Sequence, residues 1–228
     1  MSQSLAASGM DVAIGYLSRD AEARRTAESV EGRGRRAVLV RGDVAEGMEA
    51  LVDEAAAGLG GLDVLVVCAV LPLPRPVGEL TPEDLERTMR TNFAPFVRGS
   101  IAAARHMDSG GRIVGLSATG AHVIRNPRYA PLAVAKGAVE AATRFLAVSL
   151  AHRGITVNGV APGPTDTEAF DAMAGDPPAL KRSLADATPM GRVGTPEDAA
   201  RLIAFLCSED AGWITGQLIF SDGGYSLV

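Results

Sequence analysis

Aromatic residues are scarce, with one Trp, three Tyr and six Phe making up 4% of the 228 residues. A core cannot be built on large rings here. The 47% of hydrophobic residues, together with 26 glycines, must pack as small aliphatics on closely approaching helices. Cysteine is nearly absent too. Cys68 and Cys207 stand in separate apolar stretches and form neither a metal-ligand spacing nor a disulfide framework, so no metal is expected. There is no basic excess: 22 Lys and Arg against 27 Asp and Glu leave a net charge of −5, which argues against nucleic acid or an anionic membrane as partner. No apolar run is long enough to span a bilayer, and the N-terminus lacks a basic region ahead of an apolar one. These absences leave a soluble, cytoplasmic protein, and its length suits a single domain over residues 1–228.

What is present is an alternation. Short β-branched runs at 12–14, 37–40, 64–67, 112–116, 155–160 and 218–220 are separated by segments of helical period at 20–31, 46–58, 83–106, 133–152 and 197–208. Near-continuous apolar strands alternating with helices predict a parallel sheet covered on both faces, a three-layer, doubly wound α/β fold. Two helices open on the same words, Thr81-Pro82-Glu83-Asp84 and Thr195-Pro196-Glu197-Asp198. Thr caps the free amides, Pro tolerates the first helical position, and the acids favour the positive end of the dipole. Such a fold serves many chemistries, so function has to come from particular residues.

The second half carries them. Lys136-Gly-Ala-Val-Glu140 leads to Gly154-Ile-Thr-Val-Asn158, Ala161-Pro162-Gly163 and Thr167, and then to Pro189-Met-Gly-Arg-Val-Gly-Thr-Pro-Glu-Asp198, Thr215-Gly216-Gln217 and Asp222-Gly223-Gly224. With Gly42-Asp43-Val44, Leu62-Asp63-Val64-Leu65-Val66 and Asn92 upstream, this succession resembles the short-chain dehydrogenase/reductase superfamily over essentially the whole chain. That superfamily commonly has Tyr-x3-Lys, but the residue four before Lys136 is Leu132. Tyr129 stands seven before it. The resulting Tyr-x6-Lys, and the ending Asp222-Gly-Gly-Tyr-Ser-Leu-Val228, look like the enoyl-acyl-carrier-protein reductase branch. The resemblance implies a Rossmann-like sheet, NADP(H) as cofactor, and Tyr129, Lys136, Asn92 and Ser117 as catalytic candidates. Two family words are altered. The usual serine pair reads Ser117-Ala118, and Asn-Asn-Ala-Gly reads Val67-Cys68-Ala69-Val70.

The place of Tyr129 also follows from local chemistry. Pro131 suits a first helical turn and disfavours helix at Ala130, which puts Tyr129 in the loop before the helix and Lys136 about one turn inside. In enoyl reduction, charge collects on the thioester oxygen. A phenol hydrogen-bonded there stabilises it, and a neighbouring ammonium favours the phenolate.

For the cofactor, Ser18 and Arg19 follow the first strand where an acid would bind a ribose 2′-hydroxyl, and so suit a 2′-phosphate. Asp43 and Val44 resemble the adenine contact; Pro162, Gly163 and Thr167 resemble the nicotinamide-side loop. Against NADP(H) stands the opening of the chain. Residues 1–9 read as the last part of a helix with Gly9 as its cap, without the usual first strand and Gly-rich phosphate-binding turn. In the family's order that strand is central. Its absence predicts either closure of the sheet across the gap, two strand spacings or about 10 Å wide, or a loosely held first unit.

Three functions follow as expectations. One is an NADPH-dependent reductase of an enoyl or keto thioester, with a small-molecule or carrier-bound acyl substrate. Another is a cofactor-independent enzyme doing acid-base chemistry on a carbonyl with Tyr129 and Lys136. The third is a non-catalytic binding protein. Ala138, Ala141, Ala142 and Ala147 on the helix after Lys136 permit close helix contact, and the resemblance implies a homodimer or homotetramer.

Overall fold

A computed structural model describes residues 1–173 and 176–228. Six strands alternate with helices: α1 (Ser2–Ala7), β1 (Val12–Tyr16), α2 (Asp20–Glu31), β2 (Ala37–Arg41), α3 (Val44–Leu59), β3 (Val64–Val67), α4 (Pro82–Asn92), α5 (Ala94–His106), β4 (Arg112–Leu116), α6 (Ala130–Leu150), β5 (Thr156–Pro162), α7 (Glu168–Met173), α8 (Pro177–Asp186), α9 (Pro196–Leu206) and β6 (Leu218–Ser221). All strand pairs are parallel.

The alternation of side chains across a strand divides the core into two layers. On one face Ile113 and Val157 pack with Met48 and Val52 of α3, Phe96 of α5 and Val139 of α6. On the other, Val114 and Val160 meet Leu5 of α1, Val30 of α2 and Ile203 of α9. The fold is the expected three-layer, Rossmann-like α/β arrangement. Small residues set how close its layers come. A Cβ on Gly99 would lie 2.6 Å from the Met48 side chain, so α5 approaches α3 only because that position is bare.

The periodic stretch 83–106 is two helices rather than one. Pro95 has no amide to give and its ring crowds the carbonyl four residues back, so the chain breaks at Phe93 and restarts. Both Thr-Pro-Glu-Asp words form reciprocal capping boxes, Thr81 with Asp84 and Thr195 with Asp198. Gly9 follows the end of α1 with φ of 87°, the left-handed conformation a helix stop favours.

The sheet is split. β2 pairs with β1, and β3-β4-β5-β6 form a second set; β1 and β3 are not paired. Closure across the gap is therefore not what happens. The β1–β2 unit is joined to the rest through side chains and helices instead. Val12 and Ile14 share an apolar cluster with Val64, Val66 and Val114, and on that face α1 lies against both α2 and α9, while α3 packs on α5.

Candidate active site

The chain runs outward from the gap in both directions, β1 to β2 and β3 to β6, so the gap is the point where strand order reverses. Ligands of open parallel sheets bind in the crevice beyond the strand ends at such a point. Leu116, Cys68 and Pro162 stand at or just past the carboxyl ends of β4, β3 and β5.

α6 supplies the principal side chains. Tyr129 ends a single 3-10 turn, Pro127–Tyr129, and caps α6, in the place expected. Ala130 differs from expectation in being helical, with φ of −51° and ψ of −44°. The hydrogen-bonded turn before it, from Tyr129 N to the Asn126 carbonyl, outweighs the pre-proline preference. Lys136, seven residues and two turns on, therefore lies on the face of the helix that Tyr129 begins. It is 4% exposed, and its Nζ donates to the Leu116 carbonyl at 2.6 Å. Burial lowers its pKa to about 8, a shift that nearby Cys68 partly offsets. Cys68 lines the same crevice: solvent reaches its surface, yet the enclosing protein pushes its thiol up.

Tyr129 behaves differently from the sequence expectation. Burial alone pushes its phenol above the ordinary value, so no ammonium draws it toward phenolate. At neutral pH Tyr129 is a neutral hydrogen-bond donor, and Lys136 is cationic. The Cδ1–Cε1 edge of the Tyr129 ring lies against Gly120, where a Cβ would come within 2.6 and 2.7 Å of those two carbons.

Ser117 is buried and turned toward α6, where its Oγ donates to the Glu140 carboxylate. Asn92, also buried, holds backbone. Its amide donates to the Leu71 and Thr88 carbonyls, both at 3.1 Å, and its Oδ1 accepts from Leu71 N at 2.8 Å, which fixes the segment after β3. Asp43 caps α3 by accepting from Ala45 N at 2.8 Å, while Val44 packs against the α3–α5 side of the core. Ser18 and Arg19 are exposed, and the Arg19 guanidinium is ion-paired with Glu168 at the start of α7. Gly163 donates to the Ser221 carbonyl at 3.0 Å, and Thr167 Oγ1 accepts from Phe170 N at 3.1 Å. Lys181 of α8 bridges Asp166 and Asp171, each at 2.7 Å, and ties this loop down.

Glu140, His122, Glu168 and Lys181 are the site's neighbours that sequence reasoning did not single out. Only Glu140 left a signal, four residues after Lys136 and hence on the same helix face. Two surface cavities of about 460 and 540 Å³ involve Pro189 with Val228 and Met190 with Phe220; neither is lined by Tyr129 or Lys136. Among the described residues no group of His, Cys, Asp and Glu is placed to hold a metal, and no helix is long and apolar enough to cross a membrane.

Parallel strands layered between helices, with a Tyr and a buried Lys on one helix face beside the crevice where strand order reverses, define an oxidoreductase of the short-chain dehydrogenase/reductase kind. The chain belongs to that superfamily, and the family described as enoyl-(acyl carrier protein) reductase matches residues 1–226. It is 39% identical over 229 residues to 1-cyclohexenylcarbonyl-CoA reductase of Streptomyces collinus, covering 98% of this chain and 81% of that one. Among solved structures it is similar to a short-chain dehydrogenase/reductase from Serratia marcescens, with a TM-score of 0.92, 34% identity, and 98% and 91% of the two chains covered. It is likewise similar to an angucycline C-6 ketoreductase solved with bound NADP, with a TM-score of 0.91, 32% identity, and 100% and 90% covered.

Proposed function

We propose that this protein is an NADPH-dependent reductase acting on an enoyl thioester. The observation that carries the reading is the Tyr129–Lys136 arrangement, a neutral phenol at the head of α6 and a buried ammonium two turns in, on the spacing of the enoyl reductase branch. The name of the Streptomyces relative, a reductase of an unsaturated acyl-CoA, supports it.

The residues present fit a dinucleotide at its nicotinamide end. Lys136 has ammonium hydrogens beyond the one it gives to Leu116, and these would donate to ribose hydroxyls. Pro162, Gly163 and Thr167 would line the other side. Toward the adenine, Asp43 and Val44 would meet the base and Ser18 and Arg19 a 2′-phosphate, with Arg19 leaving its exposed pairing with Glu168. NADPH supplies the hydride. Tyr129 would then donate to the thioester oxygen on which charge collects, stabilising it from a partly buried position where electrostatic interactions are stronger than in water. Asn92 serves by fixing the backbone that borders the crevice. Ser117, its hydroxyl held by Glu140, serves the shape of the loop.

Consumption of NADPH with crotonyl-CoA, set against a 3-ketoacyl thioester and a simple ketone, tests the reading. Turnover should be fastest on the enoyl substrate. Arg19→Ala should weaken NADPH by about tenfold while leaving NADH nearly unchanged, since only the former carries the 2′-phosphate. Preference for the keto substrate would make the protein a ketoreductase. No cofactor consumption with any of them would sink the proposal in favour of cofactor-independent chemistry.

Assembly follows the exposed face of α6. Ala142 and Ala147 pack into their own core, which removes them from the contact expected of them. Phe145 and Val148, 77% and 81% exposed, take their place. A homodimer through this face is expected, and a monomeric mass in solution would count against it.

A further inference from the structure

The loop after β4 returns to α6 at more than one point, and one carboxylate makes two of the attachments. Glu140 is buried, with its side chain 9% exposed. One oxygen accepts from Ser117 Oγ, and His122 Nε2 lies 2.9 Å from both oxygens. A carboxylate only accepts, so the His122 nitrogen facing it carries the hydrogen. The imidazole is steadied from another side by Phe220, edge to face with ring centroids 5.0 Å apart. Ser117 and His122 are the two ends of a six-residue arc closed by a short 3-10 turn, Thr119–Ala121. Gly120 lies in that turn, and the Tyr129 ring rests on it. Spacing along the helix brings this about. Glu140 is one turn beyond Lys136 and three turns beyond Tyr129, so all three address the same segment. Lys136 takes the Leu116 carbonyl, Glu140 holds the arc by both ends, and Tyr129 lies against its middle.

We propose that Glu140 is a positioning residue for Tyr129. By tying Ser117 and His122 to α6 it sets the Gly120 platform on which the ring rests, and through it the place of the phenol oxygen. The inference rests on the functional reading above in giving Tyr129 a reacting oxygen to be placed. Misplacement of a reacting group by about 1 Å can lower a rate by about a hundredfold. Losses of about ten- to a hundredfold in kcat are therefore expected for Glu140→Ala, with the KM for NADPH little changed. Glu140→Gln should recover most of that loss, because its amide oxygen still accepts from Ser117 and its amide nitrogen can donate to the imidazole.

The decisive measurement is the double-mutant cycle with Tyr129→Phe. If Glu140 acts through the phenol, Glu140→Ala changes kcat by less than about twofold in the Tyr129→Phe background. Full multiplication of the two losses overturns the proposal and leaves the role of Tyr129 standing. Gly120→Ala gives the same test from the platform side and covers the case that Glu140→Ala fails to fold. Its added methyl meets only the Tyr129 ring, at a backbone φ outside the left-handed region. A second readout needs no turnover. The Tyr129 phenol, obtained as the difference in alkaline absorbance titration between each protein and its Tyr129→Phe counterpart, should titrate closer to the ordinary tyrosine value once the platform is released. An unchanged titration in both Glu140→Ala and Gly120→Ala would overturn the placement. A changed titration with turnover indifferent to Tyr129→Phe would uphold the placement and overturn the functional reading.

Discussion

Tyr129→Phe is expected to lower kcat by about a hundredfold to a thousandfold, the range found when one donor to a developing oxyanion is removed. The ring itself stays, resting on Gly120, so the fold and the Lys136 environment are preserved and NADPH affinity should hold within about twofold. Burial raises the phenol above its ordinary value, so the wild-type donor is fully protonated through the neutral range. The loss should accordingly be flat between about pH 6 and pH 8. Steady-state rates with crotonyl-CoA, beside NADPH binding measured by fluorescence, separate the chemical effect from the binding one. A loss of less than about threefold would mean that the phenol does not face the reacting oxygen.

The second large effect concerns stability and activity together. Lys136 is 4% exposed, and among the described residues its one hydrogen bond is to the Leu116 carbonyl. Its pKa falls from 10.5 to about 8 because burial disfavours the charged form. The folded protein therefore resists a proton that the unfolded chain accepts. Between about pH 8 and 10.5 the unfolded chain binds one more proton, and stability rises with pH through that window. Below it the ammonium is carried at its full cost, which for 10.5 − 8 = 2.5 units is about 3 kcal/mol.

Lys136→Met removes that cost and keeps the volume, but leaves the Leu116 carbonyl without its donor, a loss of about 1–2 kcal/mol. The net expectation is a protein more stable by about 1–2 kcal/mol near neutral pH, melting a few degrees higher, and inactive. The advantage should vanish by about pH 10, where the wild-type amine is neutral and still donates to Leu116. Melting temperatures of the two proteins across that range check the sign and its reversal. A Met variant less stable at neutral pH would show the ammonium to be better solvated than its burial implies. The same titration gives wild-type kcat/KM an alkaline limb near pH 8, as the ammonium required beside the cofactor is lost.

Much of this was legible in the sequence because it is local. Strand and helix periods, the two Thr-Pro-Glu-Asp caps and the stop at Gly9 depend on residues within a few positions of one another. So does Tyr129 at the head of a helix with Lys136 on the same face, since Pro131 and a spacing of seven settle it without reference to the rest of the chain.

Tertiary structure decided the rest. Whether β1 would pair with β3 was settled only there: the two are unpaired and meet through the side chains of Val12, Ile14, Val64 and Val66. Ser117 is a catalytic candidate by resemblance, but a carboxylate 23 residues away on α6 takes its hydroxyl. The expected drop in the Tyr129 pKa became a rise, because burial acts on the phenol and no ammonium offsets it. Arg19 met Glu168, 149 residues distant, across the crevice. Sequence thus determined which residues this protein brings to its site, through hydrophobic period and capping chemistry, whose range is a few residues. Which of them face the crevice, and in what state of charge, was decided by desolvation and by hydrogen bonds between distant segments, which exist only once the layers have packed.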